Sequence, residues 1–187
     1  MRIIAGKFRG RKLKSPSSLA TRPTSDRLRE TLFNILAPRI EGARFLDLCA
    51  GTGAVGIEAL SRGASHVTFV DQSRKMCALI EANGDALKVG DEIEVVIAEA
   101  SEFLRKRMKK VTEPFDIIFF DPPYAADYDV VLDYVGERAS ELLAETGILI
   151  VEHDKKKHLS EETGQLKRYR VVKQGDSSLS FYVHTAA

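Results

Sequence analysis

A tetrapeptide with two prolines carries the most specific chemistry in this sequence: Asp-Pro-Pro-Tyr at 121–124, directly after the apolar run Phe115–Phe120. Proline fixes the backbone torsion φ, so the Asp121 carboxylate and the Pro122 carbonyl oxygen can converge on one point. Two such acceptors can hold both N–H groups of an aromatic amine and direct its lone pair toward an electrophile. The ring of Tyr124 can stack on a nucleic-acid base swung out of its helix. The motif therefore predicts transfer to a base amine rather than only a rigid turn.

A glycine-rich segment follows another apolar run, Phe45–Leu48, and has the spacing Gly-x-Gly-x-x-Gly. Gly51 and Gly53 would let the backbone approach a ligand closely, and the following helix would offer free amides at its start. No Gly-Lys-Ser/Thr follows, which excludes a nucleotide-triphosphate P-loop. Nicotinamide and flavin enzymes use the same turn, so the glycines alone leave an oxidoreductase open.

Two acids narrow the choice of ligand. Asp71 ends the next apolar run, twenty residues after Gly51, where a carboxylate can accept hydrogen bonds from both ribose hydroxyls of either kind of cofactor. Asp47 would repel a pyrophosphate but attract the cationic amino-acid end of S-adenosylmethionine. The pair favours S-adenosylmethionine as methyl donor, with a helix cap at Asp47 and a turn residue at Asp71 as the structural alternatives.

The third apolar run ends shortly before Glu99 and Ala100. An open α/β sheet places its next ligand contact at this carboxyl edge, so we expect these residues near the adenine of the donor. Glu99 can equally be an acid that stabilises the dipole of the following helix.

The surrounding elements predict an α/β fold. Apolar runs alternate with helical stretches, which is typical of a doubly wound, mostly parallel Rossmann-like sheet covered on both faces. A hairpin, Tyr169–Lys173 and Leu179–His184, is expected to add antiparallel pairing at the C-terminus. The predicted parallel strands are Phe45–Leu48, Val67–Val70, Ile93–Ile97, Phe115–Phe120 and Ile148–Val151.

The N-terminal residues form a separate basic region. Positions 1–30 hold nine Lys or Arg and two acids, a local charge of +7 in a chain whose net charge is +1. Residues 1–14 alternate apolar and basic side chains around Gly6 and Gly10, which predicts a β-hairpin, and 15–24 is expected to be a linker before a helix capped by Thr24. Such a cationic segment attracts nucleic-acid phosphates. The candidate RNA contacts here are Arg2, Lys7, Arg9, Arg11 and Lys12.

Composition excludes several classes of protein. The two cysteines, Cys49 and Cys77, and the four histidines have no metal-ligand spacing, so neither a zinc site nor a disulfide framework is predicted. The N-terminus lacks the apolar core of a signal peptide, and no stretch approaches the ~20 apolar residues of a membrane span. We therefore expect a cytoplasmic protein, acting as a monomer, with residues 1–24 as the basic hairpin and linker and 25–187 as the methyltransferase domain.

Asp-Pro-Pro-Tyr resembles the [Asn/Asp/Ser]-Pro-Pro-[Tyr/Phe] motif of amino-methyltransferases that act on DNA and RNA bases. The segments 2–13, 22–36 and 45–63 narrow the match, because they resemble the signatures of the RsmD-type bacterial 16S rRNA guanine-N2 methyltransferases. The resemblance covers nearly the whole chain. Departures are modest: Cys49 stands where Phe is frequent, Thr52 where Ser is frequent, and Glu99 where Asn or Asp is common.

The resemblance implies the substrate and the remaining site residues. It implies methylation of the N2 amine of a guanine in 16S rRNA, within the small ribosomal subunit or its assembly intermediate. It also implies that Arg22 and Thr24 lie over the active site beside the RNA. The residues alone leave adenine-N6 or cytosine-N4 methylation of DNA or another RNA open, since these amines offer the same two N–H donors. A non-catalytic RNA-binding assembly factor on the same scaffold is the remaining alternative.

Overall fold

Helices and strands alternate along most of the chain, as the apolar runs predict, and the C-terminal elements are strands. The computed structural model describes residues 1–16, 25–109, 113–123 and 126–185. Among these residues the helices are α1 (Asp26–Leu36), α2 (Ala54–Ser61), α3 (Arg74–Leu87), α4 (Ala100–Arg107), α5 (Asp129–Glu137) and α6 (Ala139–Leu142), with a 3₁₀ turn at Gly90–Glu92. The strands are β1 (Arg44–Leu48), β2 (His66–Asp71), β3 (Ile93–Ile97), β4 (Phe115–Phe120), β5 (Leu143–Asp154), β6 (Glu162–Thr163), β7 (Leu166–Gln174) and β8 (Ser177–His184). The chain divides into two compact units, Met1–Glu99 and Ala100–Ala187.

The strands of the first unit lie in the order β3-β2-β1 and are parallel. Leu48 pairs with Val70, and Asp71 pairs with Ile97. The carboxyl ends of all three strands therefore meet at one edge, where parallel α/β sheets bind their ligands. The loops that follow these strands begin at Cys49, Gln72 and Ala98.

Strand β3 differs from the prediction that every strand is covered on both faces. β1 and β2 are buried almost throughout, whereas β3 is half-exposed and Ile97 keeps half of its surface in solvent. The cause is its position, because β3 is an edge strand with a neighbour on one side only. An apolar run indicates a strand, but it does not show whether that strand lies at the edge.

The strands of the second unit lie in the order β4-β5-β8-β7-β6. β4 and β5 are parallel, and the later pairs are antiparallel, so the predicted C-terminal hairpin is confirmed. β5 begins five residues earlier than predicted, because Leu143 already pairs with Phe115. Strand β6 was not predicted, because a two-residue strand has no apolar pattern.

Helix α1 begins one residue later than its predicted cap. The hydroxyl of Ser25, not of Thr24, accepts a hydrogen bond from the Leu28 amide at 3.2 Å. Both residues are good N-cap types, and the choice between neighbours depends on where the chain enters the helix. Thr24 itself lies outside the described residues. Of the apolar positions predicted at helical spacing, Leu28, Leu32 and Leu36 are buried and Ile35 is half-buried, while Phe33 is buried in addition.

Residues 1–14 fold back on themselves, as the hairpin prediction requires, but they form a single antiparallel bridge, between Arg2 and Lys12, instead of two strands. The reason lies in the backbone amides. Those of Ile4 and Ala5 donate to the Glu58 carboxylate, and that of Phe8 donates to the Ser61 hydroxyl, so they are not available for a longer ladder. Across the described part of the chain, no helix has the length and apolar character that spanning a membrane requires.

Candidate active site

The glycine-rich loop of the first unit leaves β1 in a left-handed backbone conformation. Cys49, Gly51 and Gly53 all have positive φ, at 63°, 54° and 73°. A side chain at Gly53 would meet Ile80 at 2.8 Å, whereas one at Gly51 would meet nothing within 4 Å. The loop is therefore packed on one side and open above Gly51, as a backbone cradle for a ligand requires.

Asp71 ties this loop to the end of β2. Its Oδ2 accepts a hydrogen bond from the Gly51 amide at 2.8 Å, and its Oδ1 accepts one from the Ser73 amide at 2.8 Å. The side chain is half-buried. A carboxylate has about four lone-pair positions, so each oxygen can accept a further hydrogen bond from a ribose hydroxyl. The structure thus brings Gly51 and Asp71 together, as the sequence predicts.

Asp47 lies beneath the same loop and is 1% exposed. Its Oδ2 accepts a hydrogen bond from the Gly56 amide at 2.9 Å, in the first turn of α2. Burial raises the pKa of Asp47 to about 7, the Gly56 amide opposes that rise, and the negative charge of Asp71 adds to it. Asp47 therefore does bind a helix terminus. A contact with the donor's ammonium group remains a prediction.

Glu99 and Ala100 stand on either side of the start of α4. Ala100 is the buried first residue of the helix, and Glu99 precedes it directly with an exposed side chain. This position suits an acid that stabilises the helix dipole. The contact of both residues with adenine stays a prediction.

In the second unit, Asp121 and Pro122 follow the end of β4. The side chain of Asp121 is half-buried and that of Pro122 is buried. Tyr128, which was not predicted as a site residue, donates from its hydroxyl to the Pro122 carbonyl oxygen at 3.4 Å. A carbonyl oxygen has two lone pairs, so Pro122 can still accept a hydrogen bond from a substrate amine. Tyr124, the predicted stacking residue, lies outside the described residues.

Tyr128 is itself held in place by packing. It is fully buried, and its ring meets that of Phe120 edge-on with 5.9 Å between centroids. The ammonium group of Lys157 lies 4.1 Å from the centroid of the Tyr128 ring. The tyrosine therefore fixes the turn after β4 from within the core of this unit. In the sequence, the one signal that could have indicated Tyr128 is its position six residues after Pro122.

A buried carboxylate holds the N-terminal segment, residues 1–14. Glu58 of α2 is 1% exposed and accepts hydrogen bonds from the amides of Ile4 and Ala5 at 2.8 and 3.0 Å. Arg62 pairs with Glu58 at 2.7 Å, and the buried Arg29 lies 3.7 Å from it. Burying a charge is costly unless it is paired and hydrogen-bonded, as Glu58 is.

Further contacts pin the two ends of the segment. The Asn83 side chain of α3 exchanges two hydrogen bonds with the backbone of Lys14, at 2.8 and 3.2 Å. The Met1 sulfur lies 3.8 Å from the Thr52 hydroxyl in the glycine-rich loop. The segment is therefore a fixed part of the first unit that reaches the proposed donor loop.

The cations of this segment differ in what surrounds them. Lys7 pairs with Glu92 at 2.8 Å, and Arg2 lies 3.8 Å from Asp26. Arg9, Arg11 and Lys12 are exposed, and the ring of Phe8 lies 5.7 Å beneath the Arg11 guanidinium. Arg22 and Thr24, also predicted to contact RNA, lie outside the described residues.

Comparison with known proteins places the chain in a family. The family described as "Conserved hypothetical protein 95" matches residues 1–183. "Putative rRNA methyltransferase YlbH" from Bacillus subtilis is 37% identical, over 97% of this chain and 98% of that protein. "Ribosomal RNA small subunit methyltransferase D" from Escherichia coli is 46% identical over 124 residues, which span 66% of this chain and 60% of that protein.

A solved structure resembles the whole chain. "Putative methyltransferase yhhF from Escherichia coli" is 34% identical, has a TM-score of 0.85, and is matched over 100% of this chain and 99% of that one. The predicted fold class, a mostly parallel α/β methyltransferase sheet with antiparallel pairing at its C-terminal end, is thereby confirmed.

Proposed function

Because this chain belongs to the family described as conserved hypothetical protein 95, among whose relatives are the small-subunit rRNA methyltransferases D, we propose that it methylates the exocyclic N2 amine of a guanine in 16S rRNA. The methyl donor is S-adenosylmethionine. The observation that carries the reaction is the Asp121–Pro122 turn at the carboxyl end of β4.

The residues that would hold the donor lie in the first unit, except Ala100, which is the first residue of the second. The carboxylate of Asp71, beside Gly51, would accept the ribose hydroxyls, and the open space above Gly51 leaves room for a ligand against the backbone. Asp47 would face the donor's ammonium group, and Glu99 and Ala100 would lie near the adenine. When bound, S-adenosylmethionine supplies a methyl group activated by a positively charged sulfur.

The second unit has the residues to position the acceptor. The Asp121 carboxylate and the Pro122 carbonyl oxygen accept one N–H each from the guanine amine, which directs the nitrogen lone pair toward the methyl group. As the nitrogen forms its new bond it becomes positively charged, and the Asp121 carboxylate stabilises that charge and can accept the proton that leaves. Tyr128 keeps the Pro122 carbonyl in place, and Tyr124 stacks on the base.

The N-terminal segment supports an RNA substrate. Arg9, Arg11 and Lys12 are exposed cations on a backbone fixed by Glu58 and Asn83, so phosphate binding would not require the segment to become ordered first. Arg2, Lys7, Arg22 and Thr24 complete the proposed RNA-binding surface, which corresponds to residues 1–24. The RNA would be part of the small subunit or its assembly intermediate in the cytoplasm, and the protein would act as a monomer.

The test is methyl transfer from labelled S-adenosylmethionine to small ribosomal subunits that lack the modification, with the product nucleoside identified by mass spectrometry. Wild type should produce N2-methylguanosine, and Asp121→Ala should lose on the order of 10²–10³ in rate while still binding the donor in calorimetry. Asp116→Ala, an acid near the other end of β4, is the matched control and should remain active.

Other products would change the conclusion in defined ways. Methylated adenine or cytosine would keep the chemistry of the turn but replace the proposed base. Tight donor binding by wild type without transfer to any ribosomal RNA would contradict the enzyme and favour the RNA-binding assembly factor.

A further inference from the structure

The parallel register of β4 and β5 places a second acid next to Asp121. Phe119 pairs with Ile150, and Phe120 pairs with Val151. The next residues along the two chains are Asp121 and Glu152. Paired residues of parallel strands point to the same face, and neighbouring strands lie about 4.8 Å apart. Glu152 therefore adjoins the acceptor turn at the carboxyl edge of the second unit.

The contacts of the following residue distinguish the two faces of β5. His153 uses both ring nitrogens, one with the Ser180 hydroxyl at 2.9 Å and one with the Asp154 carbonyl oxygen at 2.9 Å. Because side chains alternate along a strand, Glu152 points to the opposite face from His153, which is the face of Ile150 and of its pairing partner Phe119, two residues before Asp121. Glu152 is 5% exposed. A carboxylate, an acceptor of hydrogen bonds only, is thus shielded from water on the side of the turn.

The bases differ at the ring nitrogen next to the amine, and a carboxylate can recognise that difference. Asp121 and Pro122 contact only the amine, and the amines of guanine, adenine and cytosine offer the same two N–H donors. The ring nitrogen beside the amine differs. Guanine carries a donor there, N1–H, whereas adenine N1 and cytosine N3 are acceptors. An acceptor placed next to the amine-binding pair therefore separates guanine from the other two bases.

We propose that Glu152 is the specificity residue of this site and accepts a hydrogen bond from guanine N1–H; this inference rests on the proposed function. The base that lacks N1–H presents a lone pair to a buried carboxylate, which repels it. Sites built to hydrogen-bond a substrate N–H reject an analogue without it by on the order of 10⁴-fold. Glu152 of β5 thus discriminates between the bases, whereas Asp121 and Pro122 after β4 position the amine for the reaction.

The test replaces the target guanine by 2-aminopurine, which keeps the amine at the same carbon but has an unprotonated N1. Small-subunit RNA with either base at the modified position is assembled into particles, and the initial rates of methyl transfer are compared. Wild type should prefer guanine by at least about 10³-fold. A wild-type ratio near one would overturn the proposal without any variant.

Glu152→Gln tests whether Glu152 causes this preference for guanine over 2-aminopurine. The amide can turn its oxygen toward N1–H or its NH₂ toward an unprotonated N1, so the ratio should fall to within about tenfold, whereas donor affinity should stay at the wild-type value. Glu145→Gln, an exposed acid near the other end of β5, is the control and should keep the full ratio. A folded Glu152→Gln protein that retains the wild-type ratio would contradict the role, even if its rate is lower. Failure of the proposed function itself is distinct, because wild type would then form no N2-methylguanosine.

Discussion

The glycine-rich loop of the first unit and the Asp-Pro-Pro turn of the second are both held by contacts within their own unit, but the contacts are of different kinds. The loop contains three residues with positive φ and is held by carboxylates, Asp71 on the Gly51 amide and Asp47 on the Gly56 amide. In the described part of the turn, 121–123, no residue has positive φ. There the proline rings restrict the backbone, and one neutral hydroxyl, that of Tyr128, reaches the Pro122 carbonyl.

The difference predicts how each region responds to change. Hydrogen bonds to charged groups contribute more than neutral ones and depend on protonation. The loop should therefore be sensitive to charge and pH, whereas the turn should tolerate loss of the neutral hydrogen bond from Tyr128.

Of the substitutions that test this difference, Asp71→Ala should have the largest effect. It removes the acceptor of two loop amides together with the proposed ribose contact, so donor affinity should fall on the order of 100-fold, as loss of charge-assisted hydrogen bonds implies. Calorimetric titration with S-adenosylmethionine measures the change. Asp85→Ala, an exposed acid on α3, should bind normally. Wild-type affinity in Asp71→Ala would mean that the loop is held by its backbone alone.

Asp47 makes the loop sensitive to pH. Its pKa, raised by burial to about 7, leaves the carboxyl protonated below that pH in the free protein. Donor affinity should therefore fall as the pH drops below 7, by up to about tenfold per pH unit. The same group affects folding with the opposite sign, since its contribution to stability is present below its ordinary pKa of 3.8 and is lost as the pH rises through about 7.

Asp47→Asn separates these effects, because the amide oxygen can still accept the hydrogen bond from Gly56. The variant should bind the donor weakly and with no pH dependence between about 5.5 and 8.5 in calorimetry. If Asp47→Asn kept the pH profile of wild type, binding of the donor's ammonium group would not depend on Asp47.

Tyr128→Phe tests the turn and should have a smaller effect. It removes a neutral hydrogen bond but keeps the packing on Phe120, so the transfer rate should fall by roughly 2- to 10-fold with donor affinity unchanged. Single-turnover kinetics measure the rate. Tyr182→Phe, which loses a buried hydroxyl bonded to the Ser160 carbonyl oxygen, is the matched control. A loss as large as that of Asp121→Ala would mean that the prolines alone do not fix the turn.

The smallest effect is expected from relieving backbone strain. Cys49 and Lys88 have positive φ without being glycine, so glycine at either position should raise the free energy of unfolding by up to about 1 kcal/mol. Lys88 is the exposed C-cap of α3, and Lys88→Gly should leave donor binding unchanged. Cys49→Gly should weaken donor binding slightly, because a more flexible loop loses more entropy on binding. Thermal unfolding and calorimetry distinguish the two variants.

The sequence predicts the strands well because their apolar runs reflect burial. It also predicts Asp71 beside Gly51, since both follow neighbouring strands whose carboxyl ends meet at one edge. It does not predict Tyr128, whose contact with Pro122 depends on tertiary packing against Phe120, or the length of β5. Nor could it predict Glu58, which contacts amides more than fifty residues away. The position of a residue along a strand depends on the local sequence, whereas the docking of the N-terminal segment depends on residues far away in the chain.

The attachment of the N-terminal segment has a consequence for how the protein is made. Ile4 can bind Glu58 only after 54 further residues have been synthesised, and Lys14 can bind Asn83 only after 69. At translation rates of about 5–20 residues per second, the segment is synthesised several seconds before its partners exist. In that interval the most cationic part of the chain is unattached, and it becomes a defined surface only when α2 and α3 have been synthesised.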